Sequence, residues 1–338
     1  MGKATISYSL TRRPSQSRIA AAYQDILHER YELVATQDSA DIVIVHHPPR
    51  NYETVYALHP ALKDRYVISA CVTHADDIPG IWQRNLRRVQ EVWTCSRYCQ
   101  QVLSRYHPKV TLLPYVVERD FSCSETALEG IKRLIGYEDD GVYFLNISPI
   151  DEPRKNIHTL VETFKKVAGD MPKARLIIKA SSINVPTWSF HPQVLFVPFQ
   201  MPVEYISALY ELSHVYVSPH HSESWGITMS DAMLAGKPVI ATGYSGNMDY
   251  MDADSAFLLP FREAEVPADQ PSVAVEPGMK WVDPDVDALA DSLRHLYTGH
   301  SSPEAHEKVA RAREAVGRFD RPRAAEVIYS SIESALQG

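Results

Sequence analysis

The chain has 338 residues, of which 45% are hydrophobic and 22% charged, and a formal net charge of −8. This length exceeds the ~250–300 residues at which a single core stops growing, so it predicts two domains, and the composition is typical of a soluble globular protein. The sequence has no run of ~18 or more apolar residues and no apolar stretch of a signal peptide at its start, so we expect a cytoplasmic protein.

Charge is divided unevenly along the chain. Residues 1–120 hold 15 basic and 12 acidic side chains, whereas the remaining residues hold 19 and 30. Binding to a polyanion is driven largely by phosphate neutralisation, so the acidic remainder argues against a nucleic-acid partner. The four cysteines match neither a disulfide framework nor a zinc-binding pattern, and we interpret them as reduced thiols.

Short apolar runs alternate with helical patterns in the first third of the chain, which is typical of βαβ units and parallel sheets. Ser17 and Ser96 are of a residue type that caps helix N-termini, and they begin the predicted helices Ser17–His28 and Ser96–Tyr106. The predicted strands of this part are Thr5–Tyr8, Asp41–Val45, Tyr66–Val72, Glu91–Thr94 and Val110–Pro114.

The alternation begins again after residue 140 and predicts a second α/β domain. Its predicted strands are Tyr143–Ile147, Arg175–Lys179, Val194–Val197, His214–Val217 and Pro238–Ala241. Its predicted helices are Ile157–Ala168, Val203–Leu212, Ile227–Ala235, Asp287–Tyr297 and Pro303–Gly317. Phe261–Trp281 is predicted to be an inserted surface loop, with a lid as the alternative. We therefore expect two Rossmann-like domains, 1–120 and 121–318, with parallel sheets facing a central cleft, and a helix at 319–338 that packs back towards the first.

The most informative segment is Ser218–Asp249, which begins after the predicted strand His214–Val217 and contains the predicted strand Pro238–Ala241. A polar loop with Glu223 leads through Gly226 into a predicted helix, and Gly236 followed by Pro238 ends that helix. Free backbone N–H groups and the helix dipole favour a phosphate at such a helix start. A carboxylate such as Glu223 accepts hydrogen bonds from polyol hydroxyls. The segment therefore predicts a nucleotide-sugar site.

This segment resembles the Glu-x7-Glu signature of retaining glycosyltransferase family 4, whose fold is GT-B. The family typically has Glu-Gly-Phe-Gly, four residues, Glu-Ala-Met and then Gly-x-Pro-Val-Ile-Ala-Thr. The chain has Glu223-Ser-Trp-Gly226, Asp231-Ala-Met233 and Gly236-Lys-Pro-Val-Ile-Ala-Thr242. By that resemblance Glu223 would hold the hydroxyls of the donor sugar. Asp231, one methylene shorter than the family's second glutamate, would hold the ribose.

A second part of the family pattern matches Ser148–Asn156. Lys155 falls on the family's lysine, which neutralises the donor diphosphate. The family's arginine falls on Pro149, so Arg154 is the candidate for the missing charge. Base recognition in this fold uses backbone groups near Val197. The other predicted donor-binding residues are Ser224, Trp225, Gly226, Ile227, Gly243, Tyr244, Ser245, Gly246 and Asn247.

The first domain is expected to face the acceptor. His74, after a predicted strand, stands where the family often has a histidine that faces the transferred sugar, and is the third predicted catalytic residue beside Glu223 and Lys155. The usual glycine-rich loop after the first strand is replaced by Leu10–Ser17. The predicted acceptor-side residues are Arg12, Arg13, His46 and Arg50.

The resemblance implies a retaining hexosyltransferase that uses a nucleotide-sugar donor as substrate, without a metal or other cofactor. The segment Lys280–Asp287 is similar to enzymes that assemble bacterial surface polysaccharides. The Asp283/Asp285 pair precedes a predicted helix, so we interpret the two residues as cap and first-turn acids of that helix, with a metal motif as the alternative. The acceptor is a glycan, a lipid-linked molecule or a small molecule, and a lipid-linked acceptor would bring the protein to the cytoplasmic face of a membrane. The alternatives are a sugar-nucleotide epimerase or phosphorylase, and a catalytically silent sugar-nucleotide-binding protein.

Overall fold

The computed structural model describes residues 3–10, 14–180, 187–269 and 276–337. It divides the chain into two units. The first comprises Met1–Glu118, Glu265–Lys280 and Arg318–Gly338, and the second comprises Arg119–Ala264 and Trp281–Gly317.

The first unit contains a six-stranded parallel sheet with the strand order β2-β1-β3-β4-β5-β6. Its strands are β1 (Thr5–Leu10), β2 (Glu32–Leu33), β3 (Ile42–His46), β4 (Tyr66–Ala70), β5 (Glu91–Thr94) and β6 (Val110–Leu112). Its first helices are α1 (Pro14–Arg30), α2 (Tyr52–Leu58), α3 (Gly80–Leu86) and α4 (Arg97–Leu103). Ser96 caps α4 as predicted, since its hydroxyl accepts a hydrogen bond from the Cys99 backbone N–H. The helix predicted from Ser17 begins earlier, at Pro14.

The second unit contains a second six-stranded parallel sheet, with the order β12-β11-β10-β7-β8-β9. Its strands are β7 (Val142–Ile147), β8 (Ala174–Lys179), β9 (Val194–Val197), β10 (Val215–Ser218), β11 (Val239–Thr242) and β12 (Phe257–Leu259). Its helices are α5 (Glu125–Ile135), α6 (Ile157–Val167), α7 (Val203–Leu212), α8 (Ile227–Leu234), α9 (Val286–Gly299) and α10 (Pro303–Gly317). All five strands predicted for this part are present.

The predicted surface loop Phe261–Trp281 is wrong in part. β13 (Phe261–Glu265) and β14 (Lys280–Pro284) form a two-stranded sheet, and the residues between them belong to the first unit rather than the second. There the Asp76 backbone N–H donates to the Lys280 carbonyl at 2.9 Å, and Glu276 accepts from the Gly80 N–H at 2.9 Å. Most of β13 is exposed, so it lacks the buried apolar run by which the other strands are recognised.

The C-terminal helix α11 (Arg321–Leu336) packs against α1 within the first unit. The Arg30 guanidinium lies 3.8 Å from the centre of the Tyr329 ring, whose hydroxyl donates to the Ile26 carbonyl at 3.0 Å. The buried carboxylate of Glu91 on β5 accepts hydrogen bonds from Trp93 and, on α11, from Ser331 at 2.7 Å. These contacts connect the end of the chain to the first sheet.

Candidate functional site

Three neighbouring strands of the second sheet, β7, β10 and β11, end at the same edge because they run parallel. The loops that follow them contain most of the predicted donor-binding residues. Asn156 (φ 57°) and Gly226 (φ 87°) have left-handed backbone conformations immediately before α6 and α8. At Gly226 that conformation explains the glycine, since other residues adopt it at a cost.

A buried cluster of opposite charges lies where the loops after β7 and β10 meet. The Glu223 carboxylate accepts hydrogen bonds from the Lys155 ammonium and pairs with the Arg154 guanidinium at 2.9 Å. Arg154 also pairs with Glu152 at 2.5 Å. The side chains of Glu223, Lys155 and Arg154 are only 5%, 11% and 11% exposed. The structure therefore brings together Glu223, Lys155 and Arg154, and adds Glu152, which the sequence did not single out.

The electrostatics of this cluster keep Glu223 ionised. Burial alone would raise the pKa of Glu223, but Arg154 and Lys155 outweigh it and hold that pKa well below its usual range. Burial and the adjacent Arg154 lower the pKa of Lys155, against the opposing effect of Glu223. Two cations thus share one carboxylate away from water, where interactions between charges are strong.

The loop after β11 holds the backbone around Glu223. The Glu223 N–H donates to the Ser245 hydroxyl at 2.8 Å, and the Gly246 N–H donates to the Glu223 carbonyl at 2.9 Å. Ser245 has a φ of 75°, in the left-handed region. A Cβ atom at Gly246 would lie 1.9 Å from the Ser224 carbonyl oxygen, so the close approach of the two loops requires glycine.

Two histidines of the loop after β10 contact residues around this arrangement. Buried His220 hydrogen-bonds through Nε2 to the Asn247 side chain at 3.1 Å and through Nδ1 to the Ser218 carbonyl at 3.0 Å. His221 stacks on Trp281 at 4.6 Å, and its ring lies 3.2 Å from the Asp283 carboxylate. Asp283 lies in β14 and does not cap α9, so the prediction for this residue is wrong.

Asp285 alone of that predicted pair caps α9. Its carboxylate accepts hydrogen bonds from the backbone N–H groups of Asp287 and Ala288, at 2.9 and 3.0 Å. Among the described residues, no group of three or more His, Cys, Asp or Glu side chains is arranged to hold a metal ion. None of the helices in the described ranges combines the length and the apolar character that a membrane span requires.

Asp231, the predicted ribose-binding residue, is buried on α8 and forms an ion pair with Arg119 at 2.8 Å. Trp225 is buried as well, and its indole N–H donates to the Ser230 hydroxyl at 3.3 Å. Trp225 therefore packs under the start of α8, whereas Ile227 is half-buried.

The remaining predicted donor-side residues lie at the same edge of the second sheet. Gly243 and Tyr244 follow β11 and are half-buried, and Ser224 is buried next to Glu223. Val197 ends β9, and its carbonyl accepts a hydrogen bond from the Ala180 N–H at 3.1 Å.

The predicted residues of the first domain lie in the first unit. His74 is half-buried in the loop after β4, and Arg50 is exposed in a short turn after β3. His46 is only 6% exposed, and its Nδ1 hydrogen-bonds to the Tyr8 hydroxyl at 2.9 Å. Arg12 and Arg13 lie outside the described residues.

Burial, reinforced by His47, lowers the pKa of His46 from 6.5 to about 4. In the unfolded chain His46 is therefore protonated below pH 6.5, whereas in the folded chain it is protonated only below about pH 4. The contribution of His46 to the free energy of unfolding is fully present above pH 6.5 and falls as the pH decreases from 6.5 to about 4. We expect the free energy of unfolding to drop by about 2 kcal/mol more between pH 7 and pH 5 in the wild type than in His46→Gln. Urea unfolding at both pH values measures this.

His28→Gln, at an exposed position on α1, is the control for the loss of a histidine elsewhere in the chain. Equal pH dependence of His46→Gln and the wild type would show that His46 titrates normally in the folded protein.

Comparison with known proteins agrees with this architecture. Residues 138–270 match the family model described as glycosyl transferases group 1. A glycosyltransferase from Rickettsia africae is 14% identical over 100% of both chains, with a TM-score of 0.73. Anabaena HepE, solved with UDP and glucose, is 16% identical over 98% of this chain and 100% of its own, with a TM-score of 0.68.

A sucrose-phosphate synthase from Thermosynechococcus elongatus is 15% identical over 97% of this chain and 81% of its own, with a TM-score of 0.65. At these identities the likeness shows the fold, and the predicted α/β GT-B fold is confirmed. A search of curated protein sequences finds no match. The matched family segment and the fold together support a sugar-transferring glycosyltransferase.

The sequence missed three features of the site. Arg119 lies 112 positions before its partner Asp231, and no local pattern marks it. The stacking of Trp281 on His221 depends on strand β14, which the sequence did not predict. Glu152 could have been noticed, since an acid two positions before a predicted diphosphate-binding arginine is a natural partner for it.

Proposed function

We propose that the protein is a retaining, metal-independent glycosyltransferase that moves a hexosyl group from a nucleoside-diphosphate sugar to an acceptor hydroxyl. The acceptor is a glycan, a lipid-linked molecule or a small molecule, and the reaction belongs to polysaccharide or glycoconjugate biosynthesis. The observation that carries the proposal is the buried cluster of Arg154, Lys155 and Glu223 beside the start of α8. The complex of Anabaena HepE with UDP and glucose supports a nucleotide-sugar donor.

The cluster suits a donor because its charges can change partners. Without a donor, Glu223 pairs with both Lys155 and Arg154, and Glu152 pairs with Arg154 as well. The diphosphate of a bound donor would take over the two cations, and hydroxyls of the sugar would donate hydrogen bonds to Glu223 in their place. The backbone N–H groups at the start of α8 add positive potential at the same edge of the sheet. Both the anionic and the polyol part of the donor would thus be held.

In the proposed reaction the bond between the sugar's anomeric carbon and the diphosphate oxygen breaks, and the acceptor oxygen bonds to that carbon on the same face. The acceptor proton passes to the departing diphosphate. Negative charge grows on the diphosphate as the bond breaks, and Lys155 and Arg154 stabilise it by preorganised electrostatics. Such a pair of cations supplies the charge that a metal ion supplies in other transferases.

A thermal-shift screen against UDP, GDP, dTDP, ADP and CMP and their sugar conjugates, with and without magnesium, tests donor binding. A ligand that binds only the folded state at 100 times its Kd stabilises it by about 2.7 kcal/mol. We expect one nucleotide to raise Tm without magnesium and Lys155→Ala to abolish that shift. Lys165→Ala is the matched control, because Lys165 pairs with Glu162 on α6, outside the cluster. No shift with any member of the panel would contradict the proposal.

Product analysis after incubation with the identified donor and candidate acceptors separates the alternatives. A glycosylated acceptor supports the transferase. A changed sugar nucleotide with no acceptor present indicates an epimerase, and a sugar phosphate formed from inorganic phosphate indicates a phosphorylase. Binding without turnover would favour a catalytically silent sugar-nucleotide-binding protein, to which Pro149, in place of the family's arginine, lends support.

A further inference from the structure

Arg119 is the first residue of the second unit, and its side chain, 13% exposed, is paired at 2.8 Å with an Asp231 side chain that is 2% exposed. Asp231 falls in the part of the family signature that faces the ribose of a donor. An ion pair buried to this degree costs desolvation on both sides, and loss of one partner leaves an uncompensated charge. The pair thus links the segment that enters the second unit to the helix of the candidate site.

Aromatic rings fix the direction of the Arg119 guanidinium. It lies 5.1 Å from the centre of the Phe121 ring and 5.5 Å from that of Tyr210, and these rings meet edge to face at 5.5 Å. The Tyr210 hydroxyl donates to the Thr228 carbonyl on α8 at 3.0 Å. A planar guanidinium suits such packing better than the compact ammonium of lysine. The rings therefore hold Arg119 against the same helix that carries Asp231.

The Arg119 Nε–H is buried and has no hydrogen-bond partner among the described residues. A buried N–H without a hydrogen-bond partner is energetically unfavourable. The orientation of Arg119 therefore does not maximise the hydrogen bonds of its guanidinium. The Arg119 Nη1 donates a hydrogen bond to the Asp231 carboxylate, and the Phe121 and Tyr210 rings pack against the guanidinium. Held in this way, the Arg119 guanidinium fixes the position of the Asp231 carboxylate.

We propose that Arg119 is a positioning residue that holds the Asp231 carboxylate where it accepts hydrogen bonds from the ribose hydroxyls of the donor. The inference rests on the proposed function. Because aspartate is one methylene shorter than the family's glutamate, its reach depends more on how the carboxylate is held. A carboxylate has about four acceptor positions, so it serves both a guanidinium and ribose hydroxyls. Arg119 thereby makes donor binding depend on an intact ribose.

The test compares nucleotides with and without the ribose hydroxyls. UDP, GDP, ADP and CDP and their 2′,3′-dideoxy forms are titrated by calorimetry against the wild type, Arg119→Met and Arg119→Lys. The wild type is expected to bind one ribonucleotide about tenfold more tightly than its dideoxy form, as for loss of a hydrogen-bonded hydroxyl. In Arg119→Met that ratio should fall close to one, through weaker binding of the ribonucleotide alone, and Arg119→Lys should recover part of it.

Arg321→Met is the matched control, since it removes an arginine paired with Glu29 at 2.6 Å within the first unit, and it should leave the ratio unchanged. A variant that only destabilises the fold would lower Tm without changing the ratio between the two nucleotides. Should Arg119→Met fail to fold, Arg119→Lys decides the question, because it keeps the charge and loses the planar fork.

Different results would overturn the role of Arg119 and the proposed function. Binding that is lost in Lys155→Ala while Arg119→Met and Arg119→Lys keep the wild-type ratio would overturn the role of Arg119 and leave the proposed function standing. Absence of binding of any ribonucleoside diphosphate to the wild type would overturn both.

Discussion

Glu223→Gln is expected to lower kcat for sugar transfer by about 10²–10³-fold, the loss typical of removing one preorganised electrostatic group. Glutamine has nearly the same shape but no charge, so it cannot neutralise the Lys155 ammonium and the Arg154 guanidinium that share this carboxylate. It also offers the sugar hydroxyls a weaker acceptor. Steady-state kinetics with the donor identified by the thermal-shift screen measures the effect.

For nucleotide binding we expect Glu223→Gln to have the opposite effect from its effect on turnover. With the carboxylate gone, the buried Lys155 ammonium loses its paired carboxylate and Arg154 keeps only Glu152, so both cations attract a diphosphate more strongly. The product nucleoside diphosphate should therefore bind Glu223→Gln at least as tightly as the wild type while turnover falls. Glu162→Gln, which removes the carboxylate paired with Lys165 on α6, is the control and should change neither quantity. Near-normal turnover of Glu223→Gln would exclude Glu223 from the reacting site.

Gly246→Ala is expected to abolish transfer and to lower the free energy of unfolding by about 1–3 kcal/mol, as for inserted bulk in a packed region. Its Cβ would lie 1.9 Å from the Ser224 carbonyl oxygen and 3.0 Å from that of Glu223. Both are backbone atoms, so the loops after β10 and β11 must separate. That separation breaks the hydrogen bond from the Gly246 N–H to the Glu223 carbonyl.

Gly169→Ala is the matched control, because a Cβ at Gly169 meets nothing within 4 Å. Urea unfolding and transferase assays of the two variants side by side measure the difference. If Gly246→Ala retained wild-type stability and activity, the close approach of these two loops would not be needed for the site.

Most strands of the second unit can be predicted from the sequence because buried parallel strands consist of continuous apolar runs. Tyr143–Ile147 and Val194–Val197 are examples, and the structure has strands at both. The short strand Phe257–Leu259 was missed, since three residues next to a proline carry too little pattern to be distinguished from a loop. The stretch from Glu223 to Thr242 was recognised as a site because its glycines, proline and acid occur at fixed spacing within one loop, helix and strand.

The sequence by itself determined the two α/β units, the order of loop, helix and strand at the site, and Glu223 as its central carboxylate. Only the tertiary structure decided which charges meet there. Glu223 and Lys155 are 68 positions apart and come together because β7 and β10 pair in register. Arg119 reaches Asp231 across 112 positions by a different route, through the packing of its segment against α8. Local sequence sets the conformation of each loop, whereas the partner of a buried charge is set by which strands and helices pack together.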